Sequence, residues 1–191
     1  ITQAVEKRPY DLVILGFGYQ EDTQLAERIL EIGEHHLLLV PQPQSVPAKP
    51  LICVARGGPG KDDVLFAGRL VRHLNAEATL LSVLSPATSD PNLNTRISRF
   101  LEEGVRSLSI LGVPATTLIR SGSIANEIHT EVRENGYDLV VMGAPLTNPN
   151  GKVVLTGVVG QTLEKITNCS ILIVRSHYHR RRFDALTGVK R

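Results

Sequence analysis

A parallel α/β sheet flanked by helices is the fold class that this 191-residue sequence predicts, and three observations predict it. Short apolar runs rich in Val, Ile and Leu alternate with longer stretches whose apolar residues recur every three to four positions, the periods of buried strand and amphipathic helix. From Leu51 onward five such runs follow one another with a helical stretch between each pair, the pattern of right-handed crossovers in an open sheet with helices on both faces. The hexapeptide from Asp138 to Gly143 (DLVVMG) has a near twin from Asp11 to Gly16 (DLVILG), so part of another unit precedes the complete one.

The elements follow in order. Residues Tyr10 to Gly16 read as a strand buried on both faces, Thr23 to Gly33 as a short amphipathic helix and His36 to Val40 as a second strand, together a partial βαβ unit over residues 1–40. The stretch 41–50 holds four prolines, which favour extended, unpaired backbone and mark a linker. The complete unit spans 51–175: strand Leu51–Ala55, helix Asp62–Leu74, strand Ala78–Val83, helix Asn92–Leu111, strand Ala115–Ile119, helix Ser123–Asn135, strand Asp138–Met142, helix Val158–Thr167 and strand Ser170–Val174. Ser123 supplies an N-cap, Ile124, Ile128 and Val132 form the apolar stripe, and Asn135 with Gly136 stops that helix. After Arg175 the stretch 176–191 is basic and without periodicity, a solvated tail. The opening on Ile1, directly before a strand, reads as the carboxyl-terminal piece of something longer.

With 21 basic against 19 acidic residues no overall field draws the molecule to nucleic acid or anionic lipid, and 42% apolar content suffices for a core. The two cysteines, Cys53 and Cys169, sit in apolar strand surroundings and read as buried free thiols, which fits a reducing cytoplasm. No run of eighteen apolar residues is present, and Glu6, Lys7 and Arg8 rule out a secretory signal at the start of the sequence.

Ligands of open parallel sheets bind beyond the carboxyl ends of the strands, where helix amino termini present unpaired N–H groups. Two loops qualify. The one from Ala55 to Asp62 is glycine-rich, but Ala55 and Asp62 stand where a Walker loop needs Gly and Ser or Thr; Arg56 and Lys61 would still face a phosphate there. The other runs from Gly143 to Gly157, with Thr156 as a helix cap. The order of elements, DLVVMG, the late glycine and the closing stretch from Asn168 to Arg175 resemble the universal stress protein family over residues 51–175, and residues 1–40 resemble the end of a preceding copy in a tandem member.

The resemblance implies a three-layer fold of the adenine nucleotide alpha hydrolase-like or flavodoxin-like kind, a five-stranded parallel open sheet, and a site for ATP in those members that bind it. Its contacts map onto Ala55, Arg56, Leu80, Val83, Met142, Gly143, Gly157, Val158 and Val159. Arg56 stands where binders carry an aspartate for the nucleoside, and Leu80 with Val83 matches the wall against adenine. The family loop has the pattern Gly-x2-Gly-x9-Gly-Ser/Thr. Gly143 matches its first glycine, Leu146 replaces the second, Gly157 matches the third in a loop one residue longer, and Val158 replaces the hydroxyl; alignment on Gly160 puts Gln161 there instead. Each lost contact costs about 1–3 kcal/mol, so family-type ATP binding, another anionic ligand and a structural domain without ligand stand as alternatives.

No base, nucleophile or metal cluster converges at the strand ends, so the sequence reads as a binding module and not as an enzyme. The pair His35–His36, His73 and His129 read as ordinary surface or cap residues. The resemblance implies association through the last strand, Ser170 to Val174, as a homodimer or as a pseudo-dimer with Leu37 to Val40 inside one chain. A cytoplasmic regulatory domain of a membrane ion transporter is the alternative, since arginines of the tail gain near a membrane surface. Nucleic-acid binding by the tail lacks aromatics beyond Tyr178 and Phe183.

Overall fold

The computed structural model describes residues 10–17, 22–32, 35–41, 45–54, 59–85, 92–144, 155 and 157–175. In chain order the elements are β1 (Leu12–Phe17), α1 (Asp22–Ile32), β2 (His36–Pro41), β3 (Pro50–Cys53), α2 (Pro59–Leu74), β4 (Ala78–Leu84), α3 (Leu93–Ile110), β5 (Ala115–Ser121), α4 (Ile124–Asn135), β6 (Leu139–Ala144), α5 (Gly157–Lys165) and β7 (Ser170–Arg175). The apolar periodicity therefore places every helix and strand within a few residues of its observed bounds. The expected linker is shorter at both ends: Pro41 closes β2 and Pro50 opens β3, terminal strand positions where the missing N–H is tolerated.

All strands join one seven-stranded sheet in the order β1-β2-β7-β6-β3-β4-β5. β3 to β7 are mutually parallel, as the sequence predicts, but the count of five is corrected, because the sheet does not end at β7. β2 pairs antiparallel along β7, with Leu37 opposite Ile173, Leu38 opposite Leu172 and Leu39 opposite Ile171, and β1 pairs parallel outside β2. The physical reason is the edge. β7 (SILIVR) is apolar on both faces, and its unpaired N–H and C=O groups would otherwise template aggregation.

Strand alternation divides the core into two layers. On one face α1, α4 and α5 contribute Ile29, Leu30, Ile128, Val132, Val159 and Leu163, packed on Leu81, Val140, Met142, Ile171 and Ile173. On the other, α2 and α3 contribute Val64, Ala67, Val71, Ile97 and Leu101 over Ile52, Leu80, Val141 and Leu172. Within α4 the stripe at Ile128 and Val132 is buried as expected and Gly136 ends the helix in the left-handed region, φ 66°. Ser123 stands at the N-cap position but gives no side-chain cap hydrogen bond.

The approach to β3 is tied down from below. The backbone N–H groups of Ala48 and Lys49 each donate to the Asp138 carboxylate at 2.8 Å, and Lys49 Nζ donates to the Asn135 carbonyl at 2.6 Å. Asp138 is thus a structural anchor at the amino ends of the strands. Among the described residues no helix is long and apolar enough to cross a membrane.

Candidate functional site

From β3 the chain steps to β4 and β5 on one side and then crosses to β6 on the other, so the strand order reverses between β3 and β6. The crevice beyond their carboxyl ends is the place where open α/β sheets hold ligands. Cys53 and Val54 border it on β3, with the Val54 N–H extending the ladder to the Leu81 carbonyl at 2.9 Å. Gly143 borders it on β6.

A carboxylate fills the space beside Gly143. Asp63, in the second turn of α2 and 3% exposed, lies so close to the Gly143 Cα that a side chain at 143 would collide with it. Glycine is required there by close approach. At the other border of the loop Leu155 is buried and donates its N–H to Glu27 Oε1 of α1 at 2.8 Å. Gly157 follows in the left-handed region, φ 64°, and opens α5. Thr162 Oγ1, within the helix, donates back to the Val158 carbonyl at 2.7 Å. Both loop borders therefore carry an acidic side chain, one from the complete unit and one from the amino-terminal unit.

The residues proposed from sequence are placed unevenly. Gly143 and Gly157 sit at the two ends of the loop, while Ala55, Arg56 and loop residues 145–154 and 156 lie outside the described residues. Leu80 and Val83 do not form one wall. Leu80 is fully buried beneath α2 and α3, where its Cδ1 would meet a side chain at Gly104, whereas Val83 packs with the layer under α4 and α5. Their odd spacing on a strand with period two puts them on opposite faces. Met142 and Val159 are buried in the core layer, with Val158 half-buried against it. Reasoning from sequence passed over Asp63 and Glu27. A signal for Asp63 existed: it stands one and two turns ahead of Ala67 and Val71, on the buried stripe of its helix.

The thiols are inert by environment. Burial pushes both Cys53 and Cys169 up to about 12. Cys169 is fully buried, while Cys53 keeps part of its surface, which corrects the expectation that both are buried. Neither thiol is expected to react with a thiol-specific chromophore at pH 8 until guanidinium unfolds the chain; rapid native labelling of Cys53 would show that its thiolate is stabilised in the crevice. Among the described residues no group of three or more His, Cys, Asp or Glu is placed to hold a metal ion.

Comparison with known proteins places this geometry. The family model described as the universal stress protein family matches residues 51–175. Among solved structures, a universal stress protein from Archaeoglobus fulgidus DSM 4304 is 14% identical with a TM-score of 0.65, covering 92% of this chain and 63% of its own. That coverage takes in strands of the amino-terminal unit as well. A universal stress protein in complex with cAMP is 19% identical, with a TM-score of 0.57 over 69% of this chain and 98% of its own. One from Archaeoglobus fulgidus in complex with dAMP is 10% identical, with a TM-score of 0.54 over 69% of this chain and 99% of its own. These are likenesses of fold. No curated protein matches the chain. The match of the family model over the complete unit, on a sheet with the family's strand pattern, shows that this chain belongs to the universal stress protein family.

Proposed function

We propose that the chain is a binding and regulatory module of the stress response whose ATP loop has degenerated, acting in the cytoplasm through association and not through catalysis. The observation that carries this reading is the acidic pair at the loop borders, Asp63 against Gly143 and Glu27 on the Leu155 N–H. A triphosphate seated there meets carboxylates where a phosphate loop offers donors, and nearby like charges disfavour it. Adenine nucleotides remain the ligand class to test, because two fold relatives are described as complexes with cAMP and dAMP. Calorimetric titration with ATP and magnesium is expected to show no saturable heat below about 1 mM ligand. A dissociation constant under about 100 µM, lost on Arg56→Glu, would overturn the degenerate-loop reading and make the module a nucleotide sensor.

The register supports the association half of the proposal. A two-fold rotation about the Leu38–Leu172 pair lays β1 on β6, so that Leu12 falls on Leu139, Ile14 on Val141 and Gly16 on Gly143. These are the pairs that align in the twin hexapeptides. The coincidence favours residues 1–40 as the end of a first copy, set against the second as a pseudo-dimer that already uses the β7 edge. Val141 is fully buried under α2, whereas its mate Ile14 is 63% exposed, the face a counterpart of α2 would cover in a complete first copy.

A further inference from the structure

Helix α1 of the amino-terminal unit is tied to the complete unit at two points. Its last four carbonyls have no partner within the helix. His35, 1% exposed just beyond it, hydrogen-bonds the Ile29 carbonyl, and Arg175 Nη1 at the end of β7 donates to the Leu30 carbonyl at 2.7 Å. Of the surface and cap positions expected for His35 the second is found, in a buried setting. Nearer the start of the helix Glu27 is half-buried, and its Oε1 accepts the Leu155 N–H at 2.8 Å. Through these contacts α1 holds the stretch from Leu155 to Arg175 at both ends, ahead of α5 and at the close of β7.

Leu155 is seated from three sides. Its side chain is 5% exposed, in the layer that holds Val159 and Leu163. Its carbonyl lies so close to Gly160 of α5 that a side chain at 160 would collide with it. Its N–H goes to Glu27, and this third contact comes from the other unit. A partly buried N–H without an acceptor costs a hydrogen bond, so the Glu27 oxygen helps to decide where the chain enters α5. The rotation that lays β2 on β7 carries His36 onto Ser170. Counted back along the helices, Ile29 falls on Leu163, both buried, and Glu27 falls on Gln161. Gln161 is exposed, so among the described residues the strut runs one way, from the amino-terminal unit to the complete one.

We propose that Glu27 is a positioning residue through which the amino-terminal unit sets the candidate site of the complete one: its carboxylate seats Leu155, and with it the entry into α5, from across the β2–β7 pairing. The coupling is reciprocal. Whatever displaces α1 from the sheet releases Leu155, and whatever draws Leu155 away loosens α1. This role belongs to the acceptor oxygen of Glu27, whereas the exclusion of phosphate proposed above belongs to its charge, so the two stand or fall separately.

Amide hydrogen exchange of the whole chain at pH 7, resolved residue by residue in NMR spectra, tests this. In Glu27→Ala the Leu155 amide is expected to exchange about tenfold faster, while β4 and β5 keep their protection. Glu27→Gln retains an oxygen that accepts the Leu155 N–H without the charge, and its Leu155 amide is expected to stay within about threefold of the unaltered rate. Undiminished protection of Leu155 in Glu27→Ala overturns the proposal, as does a Gln variant that exchanges as fast as the Ala variant. Loss of protection spread evenly into β4 and β5 assigns Glu27 to overall stability and overturns it too. Should Glu27→Ala not fold, the unaltered chain and Glu27→Gln decide: a Leu155 amide protected in both supports the strut, and one that exchanges at the unfolded rate in the unaltered chain overturns it. None of these readings depends on whether ATP binds, so failure here is distinct from failure of the degenerate-loop reading.

Discussion

Leu80→Ala is expected to lower the free energy of unfolding by about 2–5 kcal/mol, the usual cost of emptying a fully buried leucine site, without a specific effect on any nucleotide titration. The side chain is enclosed between α2 and α3, and its Cδ1 lies where Gly104 has no side chain, so α3 is held too close to collapse into the cavity. Val83→Ala, at a half-buried position at the far end of the same strand, is expected to cost about 1 kcal/mol. Chemical denaturation of the two variants measures both. If Leu80→Ala proved as mild as Val83→Ala, the placement of Leu80 inside the α2–α3 layer would be wrong, and an adenine wall containing both residues would return.

The second large effect is expected at Gly143. A methyl group there runs into the Asp63 carboxylate, which is buried and backed by its helix, so Gly143→Ala should destabilise the chain by about 1–3 kcal/mol through overpacking. The cost has a named partner. Asp63→Ala removes the obstructing group, and in the double variant most of the Gly143→Ala penalty should disappear, a coupling of about 1–2 kcal/mol that a double-mutant cycle reads directly. Strict additivity would show that some other contact fixes glycine at this position. The same Asp63→Ala variant removes one of the two carboxylates at the loop borders. Saturable nucleotide binding appearing in it, and absent from the unaltered chain, would identify that charge as the barrier to phosphate.

Asp63 and Glu27 come from different units, and Glu27 reaches the loop only because α1 rides on β2 and β2 is paired with β7. The contact between the units and the state of the crevice are therefore parts of one packing arrangement.

The sequence by itself determined the elements and their order, because periods of two and near four follow from which faces each strand and helix must bury. It also held the internal repeat, whose pairing of Leu12 with Leu139 and Gly16 with Gly143 reappears in the sheet register. The separation of Leu80 from Val83 was legible too, from their odd spacing. Asp63 was half-legible: its position on the buried stripe of α2 is written in the sequence, but its contact with Gly143 exists only because the crossover lays that helix over β6. His35 was illegible. Nothing near it in the chain distinguishes it from a surface residue, and it is buried where β2 starts, on the strand that pairs antiparallel along β7, a pairing that local periodicity does not encode.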